Sequence, residues 1–340
     1  MAHNENALTL SVVLPVFNGG DSLRRCLEAL CAANSGSEAM EIIVVDDGSS
    51  DGSADIARTL GARVVPSGGH ALGPAAARNV GAREAKGDLL LFVDADVLVA
   101  ADALGRVLDS FEDEDLGAVF GSYDDTPLEE NDASLYMNLR HHHGHRVPSE
   151  NAATFWTGLG AVRRKAFLSI GGFDLDNFPY PSVEDIDLGQ RLRASGVRIR
   201  RDPNLLGTHL KRWSWRTVIH TDIFRRARPW AEMMIAHPGR FTDLNVARSE
   251  QWKALLAGSW LLLIALSAWG LLPLWMIAAG FALVLLVNHS LTLVFLRAKG
   301  PRFALVGMLF HQLYFLYAAA TYTGCRVHRL MSGPSRTGSA

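Results

Sequence analysis

LLLFVDADVLV, residues 89–99, is an apolar run broken twice, by Asp94 and Asp96. Burying a carboxylate costs several kcal/mol unless something pairs with it. Two carboxylates in such a run either end a strand and meet a cation, or show that the run is not a strand. Two apart on an extended segment, they face the same way. Paired hard oxygen ligands favour Mg2+ or Mn2+, which also takes phosphate oxygens from a substrate. An ordinary polar strand end gives the same DxD pattern, so its context decides.

Upstream, short apolar runs alternate with helical patterns. LTLSVVLPVF (8–17) reads as a strand and DSLRRCLEALCAA (21–33) as a helix. MEIIVVDDGSSDGS (40–53) is a strand running into an acidic Gly/Ser turn, followed by the helix SADIARTLGA (53–62) and the short strand ARVVPS (62–67). GPAAARNVGAREAKG (73–87) is a helix stopping at Gly87. Strands alternating with helices mean βαβ units and a mostly parallel sheet. Ligands of such sheets bind beyond the carboxyl ends of the strands. Acidic motifs follow two of those ends. Downstream, ADALGRVLDSFED (101–113) reads as a helix, while 117–125 and 155–172 add strands and turns. VEDIDLGQRLRASG (183–196) begins with acids and ends with Gly, a helix of correct polarity. LRHHHGHRVP (139–148) is a polar loop or helix; three consecutive histidines share no face, and structural zinc sites use spaced pairs.

After residue 252 the composition changes. ALLAGSWLLLIALSAWGLL (254–272) and LWMIAAGFALVLLVNHSLTLVFL (274–296) carry no charge, and each is long enough to span a bilayer. Pro273 implies a tight hairpin. FALVGMLFHQLYFLYAAATYTGC (303–325) is a weaker third span, with His311 and Gln312 in mid-run. Arg297, Lys299 and Arg302 mark a cytoplasmic side after the hairpin. A third crossing would put Arg326, Arg329 and Arg336 outside, so that helix lies in the interface or re-enters. The expected organisation is a catalytic domain over 1–235, an interfacial linker over 236–252, a membrane segment over 253–325 and a polar tail over 326–340. Net charge is −2 in 340 residues, which argues against nucleic-acid binding. Cys26, Cys31 and Cys325 form no CxxC pair and no disulfide framework, so a reducing compartment fits. MAHNENALTLSVVLPV has neither a basic leader nor a long apolar core, hence no signal peptide is expected.

SVVLPVFNGG, EIIVVDDGSSDGSADIA, GPAAARNVGAREAKGDLLLFVDADV, GLGAVRRKAFLSIGGFD (158–174) and VEDIDLGQRL (183–192) together resemble the family 2 glycosyltransferases, in the family's order and spacing over residues 10–235. The resemblance implies the GT-A fold, a Rossmann-like α/β architecture, and an inverting transfer from a nucleotide sugar. It gives Asp47, or its neighbour Asp46, a contact with the base or ribose; an Asx-type turn cap is the plain alternative. Pro15, Phe17 and Asn18 line the nucleotide pocket. Arg78 approaches the nucleotide, orders the DxD loop, or is a helix-surface arginine. Asp96, then Asp94, hold Mn2+ or Mg2+ and through it the diphosphate. Asp185 is the catalytic base, with Glu184 as runner-up; both also suit a helix N-terminus. Asp187 is structural. His209 sits where such enzymes place a metal ligand or a diphosphate contact; an ordinary core or surface histidine is the plain alternative. RRARPW (225–230) partly matches the QxxRW motif of processive synthases, which makes Arg228 and Trp230 donor-side candidates, yet it lacks the Gln and has Pro before the Trp; its arginines meet the diphosphate or anionic lipid, and an amphipathic interfacial helix is the plain alternative. Trp156 is an acceptor-contact candidate.

These features point to a membrane-anchored, metal-dependent inverting transferase with its catalytic domain on the cytoplasmic face of a bacterial-type inner membrane. The expected partners are a UDP- or GDP-sugar donor, a lipid or lipid-linked acceptor, and the membrane itself. A processive polysaccharide synthase would want more membrane helices and an intact QxxRW. A catalytically inactive nucleotide-sugar-binding protein would have lost an acid of the DxD or ED. A nucleotidyltransferase would show a basic phosphate loop, whereas PVFNGGDS has no basic residue before Arg24.

Overall fold

A computed structural model describes residues 8–34, 40–237 and 247–332. The chain forms two compact units: Met1–Glu130 with Gly144–Arg212, and Asn131–His143 with Trp213–Ala340.

The first unit is built on β1 (Leu10–Val16), α1 (Gly20–Ala33), β2 (Met40–Asp46), α2 (Ser53–Thr59), β3 (Arg63–Pro66), α3 (Pro74–Glu84), β4 (Leu89–Val93), β5 (Val97–Val99), α4 (Ala103–Ser110), β6 (Leu116–Tyr123), the end of α5 (Asp132–His145), β7 (Leu159–Arg163), α6 (Arg164–Ser169), α7 (Glu184–Ala194) and β8 (Arg198–His209). The strands form one mixed sheet in the order β3-β2-β1-β4-β7-β6-β8-β5. Pairing is parallel from β3 to β4 and between β6 and β8, and antiparallel at β7 and β5. Helices cover both faces. Val12 and Leu14 of β1 pack with Leu23, Leu27 and Leu30 of α1, while Val13 on the opposite face packs with Ile43, Val45 and Phe92. This alternation makes the central strands read as unbroken apolar runs.

The stretch 89–99 is two strands. β4 is central and wholly buried; β5 pairs instead with the end of β8, at the opposite edge of the strand order. Between them Asp94–Asp96 form a turn closed by Val97 N–H to Asp94 O (3.0 Å). The carboxylates are therefore not on one extended face, and each has a separate partner. β8 was not anticipated from the sequence.

The second unit contains residues 132–143 of α5, then α8 (Trp215–His220), a π-helical turn (Thr221–Ala227), α9 (Arg228–Ala236), α10 (Arg248–Ala268), α11 (Trp275–Val287) and α12 (His289–Ser332). Residues 131–143 and 213–235, expected within the catalytic domain, pack instead with the C-terminal helices. Tyr136, Leu139, Trp213 and Val218 share a core with Phe295, Phe303 and Met308. The apolar run 274–296 is divided at Asn288, which ends α11. The run 303–325 lies within α12, whose helical path breaks at Lys299 and Gly300; Gly300 has φ 78°, which favours glycine, and Pro301 follows. α10 and α12 are long and apolar enough to cross a membrane; α11 is shorter. Large apolar side chains, among them Trp252, Leu262, Trp269, Leu274 and Trp275, stand exposed on α10 and its turn into α11. Most of the linker 236–252, the end of the tail and residues 1–7 lie outside the described residues.

Candidate active site

The loops after β1 and β2 interlock. Asn18 adopts φ 54°; its N–H donates to Ser49 Oγ (2.9 Å) and its side-chain oxygen accepts from Ser50 N–H (2.8 Å). The N–H groups of Gly19 and Gly20 donate to Ser53 Oγ (2.9 and 3.2 Å). Pro15 is half-buried just inside this loop. Phe17 projects outward, 47% exposed, and meets His70 edge-on with ring centroids 5.4 Å apart.

The two acids of VVDDGSS diverge. Asp46 is half-buried and accepts from Ser49 N–H (3.0 Å), three residues on, which closes the turn after β2. Asp47 is buried and turned toward residues 67–73. It accepts from Ser67 Oγ (2.7 Å), Leu72 N–H (3.0 Å) and Gly73 N–H (2.8 Å). Its carboxylate therefore fixes the loop that presents His70. Asp47→Ala leaves three donors short of their acceptor and is expected to cost about 1–3 kcal/mol. Faster proteolysis at 67–73 is the check.

The DxD turn is organised by Arg78, which is buried on α3. Its Nη2 donates to Asp94 Oδ1 in a short ion pair, and its Nη1 lies 4.0 Å from Glu184 Oε1. It is not a helix-surface arginine but a link between the DxD and the ED of α7. Burial raises the Asp94 carboxyl above its ordinary range, against the pull of Arg78. Asp96 faces His209, with Nε2 to Oδ2 at 3.5 Å. Burial pushes Asp96 up, but the hydrogen bond and charge of His209, with Lys211, hold it below the usual value. The backbone reinforces the pairing through Leu210 N–H to Asp96 O (2.8 Å).

Glu184 and Asp185 open α7. Glu184 is buried and accepts from Ser182 N–H (2.6 Å). Asp185 is half-buried; burial, with Glu184 beside it, pushes its carboxyl up to about 7, although Arg78 opposes the shift. α7 is seated by a close approach: a Cβ on Gly189 would stand 2.4 Å from Phe155 N. Asp187 pairs with Arg191 (2.7 Å) on the same helix.

An aromatic row lies beside the turn. Tyr123 stacks on His209, with centroids 4.3 Å apart and planes at 9°, and meets Trp156 edge-on at 4.9 Å. Trp156 in turn meets His145 at 5.6 Å. Tyr123 and His70 were not singled out from the sequence. The only signals were an aromatic before two acids in GSYDD and a histidine among glycines in SGGHALG.

Arg228 and Trp230 belong to the second unit and so lie outside the unit that gathers the acids. Arg228 pairs with Glu232 (2.9 Å) and Trp230 is buried.

The donors suit a hard divalent cation in part. Asp96 and His209 offer an oxygen and a nitrogen toward one another, while Asp94 is engaged by Arg78. Among the described residues no group of three or more His, Cys, Asp or Glu is gathered for a metal. The protein would thus supply few ligands and leave most positions to phosphate oxygens and water, the usual habit of Mg2+.

Residues 11–171 match glycosyl transferase family 2, and residues 141–212 match the N-terminal domain of galactosyltransferase. The pre-mycofactocin glycosyltransferase of Mycobacterium tuberculosis H37Rv is 28% identical over 247 residues, 70% of this chain and 50% of that protein. The validoxylamine A glucosyltransferase of Streptomyces hygroscopicus subsp. jinggangensis is 31% identical over 237 residues, 55% of this chain and 52% of that one. The chain thus spans about half the length of these curated relatives. Among solved structures, the mannosyltransferase PcManGT from Pyrobaculum calidifontis, in complex with GDP-Man and Mn2+, superposes with a TM-score of 0.61 at 19% identity, covering 94% of this chain and 88% of that one. S. aureus TarS 1–349, in complex with UDP-GlcNAc, gives 0.55 at 15% identity, covering 98% and 95%. These likenesses agree with a GT-A fold.

Proposed function

Because residues 11–171 match glycosyl transferase family 2, we propose that this chain moves a sugar, with inversion, from a nucleoside-diphosphate sugar to a lipid or lipid-linked acceptor at the cytoplasmic face of a membrane. The observation that carries the reading is the arginine-linked set of acids: Arg78 joins Asp94 to Glu184, beside Asp185, while Asp96 faces His209.

Each residue has a distinct task. Asp46 and the interlocked loops 15–20 and 46–53 take the nucleoside, and Phe17 with His70 offers the base an aromatic flank. Asp47 acts through the 67–73 loop. Arg78 keeps the DxD turn aligned with α7. Asp96 and His209 would hold Mn2+ or Mg2+, which supplies positive charge against the departing diphosphate. Asp185 takes the proton of the acceptor nucleophile; a carboxyl titrating near neutrality suits a base that must be free yet basic at working pH. Trp156 and Tyr123 form an apolar wall for the acceptor. The exposed apolar faces of α10 and its turn favour a membrane anchor. An inactive nucleotide-sugar-binding protein fits less well, because every acid of the site is present.

Calorimetry of the detergent-purified chain with UDP and with GDP, with and without Mn2+, tests the reading. One nucleotide is expected to bind, at least tenfold more tightly with Mn2+. Asp96→Asn is expected to lose that enhancement with its melting temperature unchanged. Binding of neither nucleotide under any condition would overturn the assignment.

A further inference from the structure

The second unit holds a groove that the reaction above does not use. It is open at the surface, measures about 330 Å³ and is lined by Arg228, Glu232 and Ile235 of α9 and by Gly324, Cys325, His328 and Arg329 of α12, with the charged side chains exposed. That is the small end of the range for ligand pockets, roughly 300–1,000 Å³. The lining brings together two arginines, one histidine and one glutamate. Glu232 is already engaged by Arg228 at 2.9 Å, and among the described residues Arg329 forms no ion pair. The lining therefore carries a positive excess, and a guanidinium fork matches the oxygens of a phosphate.

The setting points to the source of that phosphate. Val327, Leu330 and Met331 flank His328 and Arg329 on the same helix end, the last two 76% and 82% exposed. Yet α12 does not stand apart as a lipid-facing span. His311 Nδ1 meets Tyr136 Oη at 3.0 Å, and Tyr317 Oη donates to Asp222 (2.7 Å). Exposed charges accompany it there: Arg226, Arg228 and Glu232. Exposed charges do not enter hydrocarbon at small cost. The end of α12 thus has the composition of an interfacial helix, with cations at headgroup level and apolar tips below them.

We propose that this groove binds the phosphate of an anionic phospholipid at the membrane surface. The inference rests on the membrane reading but not on glycosyl transfer. The test uses the full chain in a neutral detergent and three probes, dihexanoyl phosphatidate, dihexanoyl phosphatidylcholine and inorganic phosphate, read by calorimetry. Phosphatidate is expected to bind and phosphatidylcholine to bind at least tenfold more weakly. The double variant His328→Gln/Arg329→Gln should weaken phosphatidate at least tenfold, and Glu232→Gln should tighten it. The opposite signs separate a charge effect from misfolding. Equal binding of the two lipids, or no change in either variant, would overturn the site. Inorganic phosphate binding as tightly as phosphatidate would overturn the lipid assignment. UDP and GDP titrations on the same samples report separately on the transferase reading.

Discussion

Asp185→Asn is expected to lower kcat by about 10²–10⁴-fold, the usual worth of a positioned general base, while nucleotide affinity and melting temperature stay near those of the unchanged chain. The expectation follows from how the two acids of α7 are divided. Glu184 is buried against Ser182 N–H and near Arg78, so its oxygens are already committed. Among the described residues, Asp185 accepts a hydrogen bond only from its own helix terminus, through Ile186 N–H (2.8 Å). Burial, with Glu184 alongside, pushes its carboxyl up to about 7. The sign follows directly. The base works when deprotonated, so kcat should fall about tenfold per unit as pH drops below about 7 and level off above it. In Asp185→Asn that acidic limb should vanish along with the rate. A variant with full activity, or with the limb retained, would move the base elsewhere, and Glu184→Gln is the next test.

Much of the first unit is legible in sequence because its central strands are covered on both faces. VVLPV, IIVV and LLLFV each read as unbroken apolar runs, and DSLRRCLEALCAA shows its buried leucines at helical spacing. β8 is hidden for the opposite reason. Its inward positions include Arg201, whose Nε donates to Val147 O (2.7 Å), and Pro203 interrupts it, so RIRRDPNLLGTH shows no apolar alternation. The break within LLLFVDADVLV is equally silent, since nothing local says that Val97–Val99 pairs with Gly207–His209. The acids themselves are visible; their partners are not. Arg78 reaches Asp94 from 16 residues away and His209 reaches Asp96 from the end of a strand the sequence did not announce. Asp47 is a third case, because its donors Ser67, Leu72 and Gly73 lie 20 to 26 residues downstream, where its motif does not announce them.

Asp222→Asn should destabilise the second unit by about 3–5 kcal/mol, the cost of leaving a buried charge without its partner. Asp222 is 1% exposed and sits on the π-helical turn. Its oxygens accept from Arg140 Nη1 and Nη2 at 2.9 and 2.8 Å, from Tyr317 Oη at 2.7 Å and from Arg226 Nη1 at 3.2 Å. One carboxylate thereby ties α5, the π turn and α12 together. Burial alone would raise its carboxyl, but Arg140 and Arg226 outweigh that and hold it down to about 2. A depressed carboxyl stabilises the fold above its unfolded value, and the contribution is lost as pH falls toward about 2. Melting temperature should therefore be flat from neutrality to about pH 4 and fall below it, and Asp222→Asn should lower it by roughly 10 °C or more at neutral pH. Replacing both charges, Arg140→Met with Asp222→Leu, should cost less than the single change, because neither charge is then left stranded. A single variant as stable as the unchanged chain would show that the network holds nothing in place. A double variant worse than the single would show that the ion pair itself, and not the avoidance of an orphaned arginine, is what keeps these helices together.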